Sequence, residues 1–128
     1  ALNNLDIKFA WIVNSEDGLD EISPFAKTNV IQLKDKKISE IVIDPKELSI
    51  NAKKFSNLVG DDAKFNADKM ISIFKGEDND FSKAVCLNAA AGLIVNETHQ
   101  NFAEAYNNAR EHILSNKVIK HLEKIQNG

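Results

Sequence analysis

The chain has 128 residues, a formal net charge of −3, a 43% hydrophobic and 27% charged composition, and one cysteine. That length suits a single domain with a hydrophobic core, and the composition is that of an ordinary folded protein. Lysines scattered among Asp and Glu leave no electrostatic footprint for nucleic acid, no apolar run approaches the roughly 20 residues of a membrane span, and one thiol excludes an internal disulfide.

Cys86 sits inside an apolar run, which fits a buried thiol in a reducing compartment and makes the cytoplasm the default location. Position 1 is Ala, and Ala1-Leu2-Asn3-Asn4-Leu5 reads like the end of a helix. Together these predict that the chain is the C-terminal part of a longer polypeptide.

In chain order, Asp6 interrupts the helical pattern, and Lys8-Phe9-Ala10-Trp11-Ile12-Val13 is a short β-branched and aromatic run. It predicts a strand buried on both faces, as in a parallel sheet. The acidic turn Asp17-Gly18-Leu19-Asp20-Glu21 follows, and Pro24 keeps residues 22–27 irregular. Residues 28–33 and 38–43 are two β-branched runs around Lys34-Asp35-Lys36-Lys37, a hairpin signal without the usual turn glycine. Ile31 and Leu33 share one face of the first run; in the second, Ile41 and Ile43 oppose Ile38 and Val42. Residues 46–58 show no clean period and predict an irregular connection with at most one helical turn.

The rest reads as helix. Asp61 or Asp62 can cap a helix bearing Ala63, Ala67, Met70, Ile71 and Phe74, which Gly76 ends. Asn79 or Asp80 opens the next, apolar almost all round from Ala84 to Val95 apart from Asn88 and Gly92, hence the buried central helix. Thr98 or Asn101 starts a third with Phe102, Ala105, Ala109 and Ile113 on one face. After Ser115-Asn116, a short amphipathic helix with Val118, Ile119, Leu122 and Ile125 finishes the chain.

Few residues offer chemistry. Asp20 and Glu21, adjacent carboxylates after a glycine turn at the exit of a strand, have the hard oxygens with which Mg²⁺ is held beside substrate phosphates. Strand exits are also where α/β sheets place ligands. An acidic surface turn, or a cap for a short helix, is the plain alternative. His99, His112 and His121 lack metal-ligand spacing and read as solvated helix surface. Cys86 reads as core, and Asn88 as an amide bonded to neighbouring backbone. Gly60 before Asp61-Asp62 reads as a cap, because two acids would repel a phosphate.

Three stretches together carry a family resemblance. Residues 11–23, with Asp17-Gly18-Leu19-Asp20-Glu21, look like the Val-His-Gly…Asp-Gly-Leu-Asp-Glu signature of anthranilate phosphoribosyltransferases. Val59-Gly60-Asp61-Asp62-Ala63-Lys64-Phe65-Asn66-Ala67 resembles their Gly-Gly-Asp…Asn-Ala helix start, and Leu87-Asn88-Ala89-Ala90-Ala91 their Leu-Asn-Ala-Ala-Ala helix. The order matches and the likeness spans essentially the whole chain. Two segments depart: the usual His-Gly is Asn14-Ser15, and the usual Thr-Gly-Pro-Thr is Phe25-Ala26-Lys27-Thr28.

The resemblance implies the C-terminal part, over residues 1–128, of an α/β, mixed-sheet catalytic domain of the nucleoside phosphorylase/phosphoribosyltransferase type, with a hairpin and covering helices. It implies transfer of phosphoribosyl from phosphoribosyl pyrophosphate to anthranilate, Mg²⁺ held by Asp20 and Glu21, and a parent homodimer formed through an N-terminal helical domain. The family's donor loop and anthranilate-contacting residues match nothing in this stretch. A pyrimidine nucleoside phosphorylase of the same fold is an alternative, as is a non-catalytic binding relative; the Asp-Gly-Leu-Asp-Glu and Leu-Asn-Ala-Ala-Ala stretches favour the transferase.

Overall fold

The computed structural model describes residues 7–53, 63–115 and 117–127. Three strands come first: β1 (Phe9–Ser15), β2 (Thr28–Lys34) and β3 (Lys37–Ile43). They form one antiparallel sheet in the order β1-β2-β3, with Val13 opposite Val30 and Val30 opposite Ile41. A 3₁₀ turn, Pro45–Leu48, follows, capped by the Asp44 carboxylate, which accepts from the Lys46 amide. Four helices follow among the described residues: α1 (Ala63–Phe74), α2 (Asp80–Val95), α3 (Phe102–Leu114) and α4 (Lys117–Asn127).

The hairpin forms where the β-branched runs predict it, on a two-residue turn. Asp35 and Lys36 take φ of 50° and 65°, the left-handed pair of a type I′ turn. Neither is Gly, so cross-strand pairing sets the register against an unfavourable turn. Val30, Ile41 and Ile43 face the core beside Trp11 and Val13. Ile12, Ile31, Ile38 and Val42 lie on the opposite face and are exposed; Leu33 on that row is buried.

Among the described residues the expectation that β1 runs in a parallel sheet with both faces buried is not met: its one neighbour there, β2, is antiparallel, and Ile12 is 53% exposed. A parallel neighbour needs a crossover, usually helical. Residues 16–27 instead form a loop that closes on its own base, the Glu16 amide donating to the Lys27 carbonyl at 2.9 Å. The chain therefore turns straight back.

The helix ends follow local chemistry. Asn79 caps α2 in a reciprocal box with Ser82, each side chain accepting from the other's amide at 2.8 Å. Asn101 caps α3 through the Glu104 amide. Gly76, at φ 107°, ends α1 with its amide on the Ile73 carbonyl and the Glu77 amide on that of Ser72, a Schellman closure.

α2 is the central helix. Ala84, Cys86, Leu87, Ala90 and Ile94 are buried on it, between β1 on one side and α3 on the other. Ala105, Tyr106, Ala109 and Ile113 of α3 pack back, and Phe102 stacks on Trp11 with ring centroids 5.9 Å apart. α1 and α4 pack on α3 and on each other rather than covering the sheet. In α1 the predicted positions Ala63 and Ala67 are exposed, whereas Ile73, absent from the predicted face, is fully buried. Only the last turns of α1 reach α3's side of the core. In α4, Val118 and Leu122 are half-buried and Ile125 is exposed. The predicted cap at Asp61 or Asp62 lies outside the described residues.

Two turn substitutions should act in opposite directions. A Cβ at Gly76 would meet the Leu114 carbonyl oxygen at 3.2 Å in a left-handed backbone, so Gly76→Ala should destabilise by about 1–3 kcal/mol. Lys36→Gly should stabilise by about 0.5–1 kcal/mol, since relieving the left-handed cost exceeds the added unfolded-state entropy. Urea denaturation of both variants checks the signs.

Candidate functional site: the acidic turn after β1

The turn begins at Ser15, the last residue of β1, which is 2% exposed. Its amide donates to the Leu19 carbonyl at 3.0 Å, and its carbonyl accepts from the Gly18 amide at 3.0 Å. Gly18 takes φ of 92°, a conformation that lets the chain reverse within four residues.

Asp17 organises the interior. One carboxylate oxygen accepts from the Ser15 hydroxyl and from the Leu19 amide; the other accepts from the hydroxyl of Ser23, which has no exposed surface. Ser23 is itself fixed, its amide donating to Thr28 Oγ1 at 3.2 Å and its hydroxyl accepting from the Phe25 amide at 3.0 Å. Burial works against ionisation of Asp17. The bonds from Ser15, Ser23 and the Leu19 amide outweigh it and hold the carboxyl below its ordinary range.

The sequence pattern singled out Asp20 and Glu21, and the structure places both exposed at the outside of this turn. Among the described residues neither carboxylate makes a hydrogen bond or ion pair. Ile22, next in sequence, has no exposed surface. Its backbone is held from α2: Asn88 Oδ1 accepts from the Ile22 amide at 3.0 Å, and Asn88 Nδ2 donates to the Ile22 carbonyl at 3.0 Å and to the Ala84 carbonyl at 2.8 Å. Two carboxylates without a partner among the described residues thus project from a turn whose interior is bonded through Asp17 and Asn88.

The other candidates fall into place as architecture. Cys86 is 1% exposed and burial pushes its thiol up to about 11, the reverse of what a nucleophile needs. His112 and His121 are exposed on helices, as expected; His99 lies in the connection after α2, half-buried, with Nε2 2.6 Å from the Asn108 amide nitrogen. Gly60 lies outside the described residues. No group of three or more His, Cys, Asp or Glu suited to a metal occurs among the described residues, so Asp20 and Glu21 would have to share a cation with other ligands. Beside the turn, Glu16, Phe25, Lys27, Asp44 and Asn51 line an open cleft of about 390 Å³.

Sequence reasoning missed Asp17. The signal was available: an Asp before Gly, with its carboxylate oxygen accepting the amide two residues on, is an Asx turn.

The family model described as the glycosyl transferase family, a/b domain, matches residues 1–118. The chain belongs to that family. It is 75% identical over 127 residues to the anthranilate phosphoribosyltransferase of Pelagibacter ubique, covering 99% of this chain and 38% of the relative. It is 32% identical over 124 residues to that of Aquifex aeolicus, covering 97% and 36%. Among solved structures, anthranilate phosphoribosyltransferase from Saccharomyces cerevisiae in complex with 4-fluoroanthranilate superposes with a TM-score of 0.77 at 26% identity, covering 90% of this chain and 34% of that one. The yeast enzyme in complex with PRPP and Mg gives 0.74 at 26% identity, covering 88% and 33%. The chain therefore spans about a third of the length of the proteins it matches, and the α/β fold expected from its sequence is the one they share. Among the described residues no helix is long and apolar enough to cross a membrane.

The depressed Asp17 carboxyl contributes stability above the ordinary carboxylate range near ~4, lost as pH falls through its lower folded value. Asp17→Asn loses an acceptor for Ser23, so it should be less stable than the parent at pH 7. The gap should narrow toward pH 3. Urea midpoints at both pH values test this; parallel profiles would remove Asp17 from the acid limb.

Proposed function

We propose that this chain is part of an anthranilate phosphoribosyltransferase, the glycosyltransferase of tryptophan biosynthesis that moves phosphoribosyl from phosphoribosyl pyrophosphate to anthranilate and releases pyrophosphate. The observation that carries this reading is the 75% identity with the Pelagibacter enzyme along 127 residues. Relatives at 32% and 36% identity have the same name, and the matching yeast structures hold PRPP with Mg in one case and 4-fluoroanthranilate in another.

In this reading Asp20 and Glu21 hold Mg²⁺. The donor chemistry fits: Mg²⁺ takes hard oxygens, commonly one or two carboxylates with waters and substrate phosphates completing the shell. Both carboxylates are exposed and, among the described residues, uncommitted. Bound there, the cation supplies neutralisation of charge on the departing pyrophosphate. The chain's own contribution is to present the two carboxylates at fixed backbone positions beside open solvent. Contacts to the donor's ribose phosphate and to anthranilate would come from parts of the parent polypeptide outside residues 1–128. The same applies to the homodimer contacts expected in its N-terminal helical domain. A cytoplasmic setting agrees with the buried reduced thiol of Cys86.

The departures from the family pattern are absorbed locally. Ser15, where the family usually has Gly, supplies a hydroxyl to Asp17 inside the turn. Phe25 and Lys27 line the neighbouring cleft and leave Asp20 and Glu21 open.

Two outcomes are expected. In the full polypeptide, Asp20→Asn with Glu21→Gln should lower kcat/KM on the order of 100-fold at limiting Mg²⁺, and an unchanged Mg²⁺ titration would remove the pair from the site. Residues 1–128 alone should form no phosphoribosylanthranilate, measured by its fluorescence, because one metal-binding edge holds neither substrate.

A further inference from the structure

The bonding on either side of the acidic pair is unusually complete. Leu19 is held at both backbone groups, its amide on Asp17 and its carbonyl accepting from the Ser15 amide. Ile22 is also held at both, by the two ends of the Asn88 amide. Asp20 and Glu21 are the two residues between these fixed points, and their carboxylates make no bond among the described residues. The backbone that carries the two carboxylates is therefore held on both sides, by Asp17 and by Asn88.

The two anchors come from different parts of the fold. Asp17 belongs to the turn and ties it to the buried hydroxyls of Ser15 and Ser23. Asn88 belongs to α2, 66 residues away in sequence, and lies among the helix's buried apolar positions Leu87 and Ala90. An amide carries its acceptor and its two donors on separate atoms, so Asn88 can bond the N–H and C=O of Ile22 side by side and still donate to Ala84, whereas a hydroxyl has only one proton to give. Its orientation is set by those partners, because reversing it would face donor to donor at Ile22 and acceptor to acceptor at both carbonyls. A purely structural amide needs only to satisfy itself; this one pins the residue that directly follows the exposed acids to the most buried helix of the protein.

We propose that Asn88, together with Asp17, is a positioning residue: the pair clamps Leu19 and Ile22 so that Asp20 and Glu21 are presented in the arrangement that receives a divalent cation. This rests on the metal role assigned to Asp20 and Glu21 above. A site held in place before binding spends none of its affinity on ordering its ligands, and groups that orient metal ligands typically change metal affinity or activity by roughly 10–100-fold when removed.

The test titrates Mg²⁺ into the full polypeptide carrying Asn88→Leu, read both by transferase activity with both substrates saturating and by calorimetric Mg²⁺ binding without substrates, where Kd should rise in step. Leu keeps the size and helical preference of the position but leaves the Ile22 backbone unclamped. The half-activating Mg²⁺ concentration should rise by about 10-fold or more, while the KM for anthranilate stays within about twofold. A merely structural role would lower the amount of active enzyme, and hence the apparent kcat, without moving the half-activating concentration. That result overturns the proposal.

Ser23→Ala, which removes one hydroxyl from the Asp17 side, should shift the titration in the same direction; it decides the matter if Asn88→Leu does not fold, and an unshifted titration then counts against the clamp. The two readings fail differently. If Asp20→Asn with Glu21→Gln leaves the Mg²⁺ dependence intact, the metal assignment falls; if that variant is impaired and both clamp variants titrate like the parent, only the clamp falls.

Discussion

The burial of α2 is the constraint on which the other elements depend. Leu87 and Ala90 on it have no exposed surface, and Ala84, Cys86 and Ile94 are nearly as covered. Fully burying a residue such as Leu87 contributes about 1.5–3 kcal/mol, and Ile22 and Ile73, equally covered, contribute similarly from two other segments. Ala90 is small and fully buried on this helix, and α3 lies against it with Ala105 and Ala109 turned into the core. A polar side chain on such a helix needs partners for its groups, and Asn88 makes three hydrogen bonds. The core thereby fixes the position of a surface turn.

That dependence explains what could be read from the chain and what could not. The hairpin, the helices, the caps at Asn79 and Asn101 and the stop at Gly76 all rest on chemistry within a few residues, and each was legible. The direction of β1 was not: an apolar run such as Phe9-Ala10-Trp11-Ile12-Val13 reports burial, whereas the pairing partner is set by the connection that follows. The burial of Ile73 in place of Ala63 and Ala67 was missed for a similar reason, since periodicity gives the face of a helix but not how much of its length meets a neighbour. At the site, Asp20 and Glu21 stood out by type and position. Their support did not, because an amide 66 residues away leaves no local pattern around the residue it holds.

The outer face of the sheet has a different character from the inner one. Ile12, Ile31, Ile38 and Val42 are between 44% and 69% exposed, a row of β-branched side chains of the kind that soluble proteins usually cover. Glu40, paired across from Ile31, is the charged residue that interrupts it. The inner face, by contrast, packs Val30, Ile41 and Ile43 against the helices beside Trp11, whose indole N–H donates to Gln32 at 2.9 Å. Apolarity on both faces is what made β1 read as a doubly buried strand: the composition was read correctly, and the burial it suggested is realised on one side only among the described residues.

The energetics of the acidic turn show why its interior bonding matters more than its surface charge. Fixing one residue's backbone costs about 1–2 kcal/mol, so a loose turn would add about 2–4 kcal/mol to the cost of organising two adjacent ligands around a cation. Here folding has already met that cost through Asp17, Ser15, Ser23 and Asn88, before any ligand arrives. Mutual repulsion of two neighbouring carboxylates works against the arrangement, but both are exposed, and in water unit charges about 4 Å apart interact by only about 1 kcal/mol. In the proposed metal role the saving in order therefore exceeds the repulsion: an exposed acidic pair on a backbone already held at Leu19 and Ile22 needs neither the desolvation of a buried pair nor the full ordering of a loose one.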